Sequence, residues 1–170
     1  ASRASNLCKL HNVRLEGGMT TNAYLLKFAL FEDLVSYHQN FFQITLDGWE
    51  GVHDQVRKLA GGGGTFDRIW RNICDTRKST QDFQIQFRIH LRKDNLESVE
   101  RLVVMIGREF GADRRYRIDF QHLRDLGGEG GKSVVEPFSI TEVQEIEKQM
   151  RSLHDREVRR LRAAENHQKE

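Results

Sequence analysis

The sequence predicts an α/β fold in which a parallel sheet curls into a partial barrel, and three observations carry that expectation. Four strand-like runs are separated by segments long enough for helices, the pattern of βαβ crossovers. Those strands alternate apolar and polar residues instead of being apolar throughout. The run FFQITLDGWEGVHDQVRKLAGGGGTFDRIWRNI, residues 41–73, carries a strand into Asp47-Gly48, a long polar loop and then a helix. Parallel α/β proteins place ligands at the carboxyl ends of their strands, so chemistry is expected there.

The first strand begins at Val13 and runs through Glu16, Gly17 and Gly18 into MTTNAYLL. Thr20, Thr21 and Asn22 suit a turn, and Phe28, Phe31, Leu34 and Val35 then recur at helical spacing up to Tyr37. The second strand spans residues 41–47. The loop after it holds His53, Asp54 and Arg57, Gly61 to Gly64 form a flexible link, and a helix opens with Thr65 as its N-cap and Asp67 in its first turn. Phe66, Ile69, Trp70, Ile73 and Cys74 share one face of that helix, so Cys74 is read as core.

The third strand, residues 83–91, sets Phe83, Ile85, Phe87, Ile89 and Leu91 against Gln84, Gln86, Arg88 and His90. Its helix starts after Asp94 or Asn95, with Glu97 in capping-box position from Asp94, and Gly111 ends it. The fourth strand, residues 116–123, alternates Tyr116, Ile118 and Phe120 with Arg117, Asp119 and Gln121. A glycine-rich loop from Gly127 to Gly131 and Pro137 precede a last helix capped by Ser139 and Glu142, whose seam is Val143, Ile146, Met150 and Leu153. From about Arg156 the chain reads as a charged, solvated tail.

Parallel sheets are usually covered on both faces. Burying the polar set of these strands unpaired would cost about 1–3 kcal/mol per group. That face must therefore meet water or a polar ligand, as it does in a sheet curled around a hydrophilic cavity. An antiparallel sheet with one wet face accounts for the alternation equally well. The helix between each pair of strands favours the parallel alternative.

At 170 residues the chain suits one domain and is short for a complete (β/α)8 barrel. Its 27 basic and 25 acidic residues nearly cancel, so no nucleic acid is expected as a partner. No run approaches the roughly 20 apolar residues of a membrane span, and Cys8 and Cys74 form neither a CxxC pair nor a disulfide framework. A soluble, cytoplasmic protein is expected.

Asp47, at a strand's carboxyl end, and Thr45, two residues earlier on the same face, form an edge suited to a ribose or an amine. His53, Asp54 and Arg57 fit either an acid/base cluster or a loop-folding network. The second is preferred because no nucleophile accompanies them. Arg57 and Arg88 each suit a two-pronged grip on a carboxylate. Gly61 to Gly64 lack the Gly-Lys-Ser/Thr ending of a phosphate loop and read as a hinge. An ordinary α/β enzyme using His53 and Asp54 on a phosphorylated substrate is a further alternative.

The segments TTNAYLL, ITLDG, HDQVR, GGGGTF and RIHLRKDN, in that order, resemble radical S-adenosylmethionine (radical SAM) enzymes, especially the SPASM-domain branch of peptide and sulfatase maturases. The similar family segments are a Thr-Asn-Gly-x-Leu-Leu third strand, with Ala23 here in place of the glycine, and a fourth strand ending Ser/Thr-Leu-Asp-Gly before His-Asp-x-x-Arg. The likeness covers residues 13–126. It leaves residues 1–12 as an N-terminal stub, 127–155 as a glycine-rich loop and C-terminal helix, and 156–170 as the charged tail. It implies strands three to six of a (β/α)6 barrel holding S-adenosylmethionine beside a [4Fe-4S] cluster. An oxidoreductase or maturase of this kind takes a hydrogen atom from a peptide or small-molecule substrate, with a flavodoxin or ferredoxin as electron donor.

By that resemblance Thr45, Asp47, Thr21, Asn22 and Arg88 are the cofactor-binding residues. The family's CxxxCxxC loop and Gly-Gly-Glu segment have no counterpart here, and no cysteine follows Cys74. The chain, which opens on Ala1, is therefore expected to be the middle and later part of a longer enzyme or of a decayed gene, inert alone. A half barrel that binds without a cluster is the non-catalytic alternative.

Overall fold

The computed structural model describes residues 2–122 and 138–167. Eleven elements follow in order: α1 (Ser2–Leu10), β1 (Gly17–Thr21), α2 (Phe28–Ser36), β2 (Gln39–Leu46), α3 (Glu50–Val56), α4 (Phe66–Asp75), a 3-10 turn (Thr76–Lys78), β3 (Gln84–Leu91), α5 (Leu96–Phe110), β4 (Tyr116–His122) and α6 (Ile140–His167). The strands form one sheet in the order β1-β2-β3-β4, and every neighbouring pair is parallel. The antiparallel alternative is thereby excluded. Chain order equals sheet order because each crossover carries a helix back over the same face before the next strand is laid down.

That face is built from the alternating apolar residues. Phe42, Ile44 and Leu46 of β2, and Ile85, Phe87, Ile89 and Leu91 of β3, are buried in one core with Phe31 and Val35 of α2, Ile69 and Ile73 of α4, and Val99, Leu102, Val103, Ile106 and Phe110 of α5. The register sets the opposite face in ordered rows: Thr20, Gln43, Gln86 and Arg117 in one, Thr45, Arg88 and Asp119 in the next. Gln43, Thr45, Gln86, Arg88 and Asp119 are half-buried and Arg117 is exposed, so this face meets solvent.

Helices α5 and α6 pack along each other, and glycine makes the approach close. A Cβ at Gly107 would lie 3.0 Å from the Glu157 Cβ, and one at Gly111 would lie 2.5 Å from Val158 Cγ2. Val143 and Met150 are buried beneath α6, with Ile146 and Leu153 against the core, as the seam predicts. Ser139 and Glu142 close the expected capping box: the Ser139 N–H donates to Glu142 Oε2 (2.7 Å), and the Glu142 N–H donates to Ser139 Oγ (3.2 Å).

Three expectations are corrected here. The charged segment after Arg156 is helical as far as His167, and Glu157 is buried, paired with Arg108 and Arg160; the charges lie on a helix packed against α5. Part of the N-terminal stub forms α1. The loop after β2 contains the seven-residue helix α3, too short for its period to be seen in sequence. The expected loop from Gly127 to Gly131, with Pro137, lies outside the described residues, as do 123–126 and 168–170. Among the described residues no helix is long and apolar enough to cross a membrane.

Candidate functional site

Asp47 leaves the end of β2 and is buried, with its side chain 4% exposed. Its two carboxylate oxygens are divided between two cations or donors. Arg57 Nε, at the end of α3, donates to Oδ2, and the ring nitrogen Nδ1 of His90 lies 3.1 Å from Oδ1. Burial alone would raise this carboxyl, but the hydrogen bonds from His90 and Arg57, and their charges, outweigh it and hold it well below the usual carboxylate range.

The backbone of Asp47 is fixed as closely. Its N–H points at His53 Nδ1 (3.4 Å) and its carbonyl accepts from Asn95 Nδ2 (2.9 Å). Asn95 also donates to the His90 carbonyl (2.9 Å) and accepts from the Arg92 N–H (2.9 Å). One buried amide at the start of α5 therefore ties the ends of β2 and β3 together. Asn95 is the N-cap position of α5 yet spends its side chain on the strands, and it makes no side-chain cap bond to that helix.

The His-Asp-x-x-Arg motif resolves into three structural duties, which supports the loop-folding reading over the acid/base one. His53 receives the Asp47 N–H and packs edge-on against Phe66, ring centroids 5.5 Å apart. Asp54 Oδ1 accepts the N–H groups of Thr65 (2.7 Å) and Phe66 (2.9 Å), so Asp54 caps α4. Thr65 occupies the N-cap position but makes no side-chain cap bond; its hydroxyl donates to the Arg57 carbonyl (2.8 Å). Because Asp54 already occupies the amides that a phosphate would use, the phosphate-loop reading of Gly61 to Gly64 is physically unattractive as well as motif-poor. A Cβ at Gly64 would lie 2.1 Å from Asp54 Oδ2, so the last glycine of the run makes room for the capping carboxylate.

Two consequences are measurable. Replacing Asp54 by Ala leaves two helix amides without their acceptor and is expected to lower stability by about 1–2 kcal/mol in urea titration. Burial lowers the His53 pKa; the charge of Asp47 opposes that, Arg57 reinforces it and Asp54 opposes it. The unfolded ring takes up a proton below about pH 6.5 while the folded ring resists. Stability is thus expected to fall as pH drops below that value, and the His53→Gln variant, compared by urea midpoints between pH 7.5 and 5, should lose that slope.

Of the five residues expected to bind a cofactor, three share a neighbourhood. Thr45 and Arg88 stand side by side on the polar face, with Asp119 completing their row, and Asp47 lies one row further toward the carboxyl ends beside His90. Arg88 Nε is buried and has no hydrogen-bond partner.

The other two do not join them. Thr21 stands in register with Ile44, which puts it on the helix-covered face, because residues in register across a sheet share a side. Its hydroxyl accepts the Ala23 N–H (3.1 Å), and Asn22 Oδ1 accepts the Tyr24 N–H (3.1 Å). Both side chains fold the turn after β1. That turn places Ala23 at φ +58, the left-handed region that favours glycine. Asn72 of α4 fastens it by donating to the carbonyls of Ala23 (2.8 Å) and Tyr24 (3.0 Å).

His90 and Asn95 are the residues that sequence reasoning left without a role here. His90 was legible as a polar-face residue by alternation, whereas the partners of Asn95 lie in strands that only the fold brings together. Cys74 is half-buried against the core, and burial, then Glu109, pushes its thiol up to about 11. No group of three or more His, Cys, Asp or Glu side chains that could hold a metal ion occurs among the described residues. No model of a known protein family matches this chain, and no curated protein matches it.

Proposed function

We propose that this chain forms strands three to six of a radical SAM barrel and carries the S-adenosylmethionine-binding side of an oxidoreductase or maturase. The observation that carries the reading is the row Thr45, Arg88 and Asp119, side by side on the open polar face of a parallel sheet and next to the buried Asp47. A cofactor with hydroxyls, an ammonium and a carboxylate suits a face that offers a hydroxyl, a carboxylate and a guanidinium whose Nε has no partner. A second support is the left-handed φ of Ala23, at the position where the resembled motif carries glycine.

The residues described here do not fit a [4Fe-4S] cluster. Such clusters take several thiolates, the chain has two cysteines, and burial holds Cys74 in the thiol form at neutral pH. Hydrogen-atom abstraction from a peptide or small molecule is therefore proposed for an enzyme that obtains cluster ligands from other residues. The same shortage favours a second reading, a half barrel that binds its ligand without chemistry.

Calorimetric titration of the chain with S-adenosylmethionine and with S-adenosylhomocysteine tests the binding claim. Saturable binding weakened about tenfold by Thr45→Val or Arg88→Gln is expected, since a charge-assisted hydrogen bond is worth about 1.5–3 kcal/mol. Heat indistinguishable from dilution would overturn the reading.

A further inference from the structure

The Asp47 site contains a pairing that the cofactor reading does not use. Arg57 donates to one oxygen of the Asp47 carboxylate, so the carboxylate is anionic and can only accept from its other neighbour. The proton between Asp47 Oδ1 and His90 Nδ1, 3.1 Å apart, therefore belongs to the imidazole. In the neutral ring this fixes the tautomer and leaves the lone pair on Nε2. His90 alternates with the buried Ile89 and Leu91, stands on the polar face in register with Gln121, and is 27% exposed. Asp47, by contrast, is sealed in. A buried carboxylate behind an accessible imidazole is the arrangement that turns histidine into an oriented proton acceptor.

We propose that His90 is a proton-transfer residue for a ligand lying on the polar face, with Asp47 and Arg57 as its positioning residues. Its Nε2 accepts the proton of a ligand hydroxyl or ammonium; the ligand's O–H or N–H bond breaks and the new N–H bond forms on the ring. The resulting imidazolium keeps its Nδ1–H on the Asp47 carboxylate and returns the proton to water through its exposed edge. Arg88, two residues earlier on the same face of β3, supplies a positive charge for the alkoxide that a deprotonated hydroxyl becomes. The proposal rests on the polar face being a ligand site, as in the preceding section, but not on the ligand being S-adenosylmethionine.

5-Nitrobenzisoxazole is a suitable probe because it opens to a coloured cyanophenolate when a base removes its single acidic proton. The intact chain is expected to accelerate that opening. His90→Gln should abolish about nine-tenths or more of the acceleration, since a positioned general base contributes about 10²–10⁴-fold. Equal rates in wild type and His90→Gln would overturn the proposal. A measurement that needs no variant guards against misfolding: nitrogen-15 spectra of the wild-type imidazoles should place the neutral-ring proton of His90 on Nδ1, and finding it on Nε2 would also overturn the proposal. Neither experiment contains S-adenosylmethionine, so failure here leaves the cofactor reading standing, and failure of the calorimetry leaves this one.

Discussion

Gly48→Ala is expected to lower stability by about 3 kcal/mol, read as a shift of the urea midpoint at pH 7. Gly48 turns the chain from β2 toward α3 with φ +137, which L side chains rarely adopt, and residues forced into sparse backbone regions cost about 1–3 kcal/mol each. There is no room either. A Cβ would lie 2.7 Å from Ser98 Oγ and 3.2 Å from Ser98 Cβ, and overpacking of this kind adds about 1–3 kcal/mol. Ser98 cannot step aside freely, because its Oγ accepts the Trp49 N–H at 2.8 Å and its carbonyl faces the same group at 3.2 Å. In a double-mutant cycle, Gly48→Ala made in the Ser98→Gly background should cost only about half of what it costs in the wild type, since the clash is gone and the backbone strain remains. Gly51→Ala is the control. Its Cβ would meet nothing within 4 Å in α3, so a gain of about 0.5–1 kcal/mol is expected from helix propensity. Equal effects of the two substitutions would show that the Gly48 turn is not the constraint described.

The turn at Gly48 also shows where sequence reading succeeds and where it stops. An Asp-Gly at the end of an alternating strand is a local signal, and the alternation of Ile85, Phe87, Ile89 and Leu91 with Gln84, Gln86, Arg88 and His90 was enough to assign both faces of β3. A polar face that half-faces water also survives as read. What the sequence could not carry were contacts between distant segments. Asn95 looks like a routine helix-start residue, and only the parallel register brings the Asp47 carbonyl within its reach. Thr65 has the chemistry of an N-cap, but a carboxylate eleven residues earlier displaces it. Thr21, which the resemblance puts on the cofactor side, stands in register with Ile44 on the helix-covered face, a placement set by the pairing of β1 with β2 and not by any local signal. The charged end of the chain was misread for a related reason: a helix that packs through Glu157, Arg108 and two glycines of α5 shows no broad apolar stripe.

Asp47→Ala is the second large effect, and pH separates its parts. Removing one partner of a buried ion pair costs about 3–5 kcal/mol, but the Arg57 and His90 side chains are 36% and 27% exposed, so water screens the charges left behind and a loss of about 2–4 kcal/mol is expected at pH 7. Because the folded carboxyl titrates below the unfolded one, the unfolded chain binds more protons as the solution is acidified. The stabilisation from Asp47 is thus fully present above about pH 4 and is lost progressively as pH falls below it toward the folded value. Asp47→Asn keeps the shape and removes the titration, so wild type and variant should differ most at neutral pH and converge on acidification. A residual acid slope should remain in the variant, because Asp113 and Glu157 are held below their ordinary range by hydrogen bonds and charge from Arg115 and Arg108 that outweigh their burial. A constant difference between wild type and Asp47→Asn from pH 7 to pH 3 would mean that the carboxylate is not tied to Arg57 and His90 as described, and the oriented imidazole would lose its support.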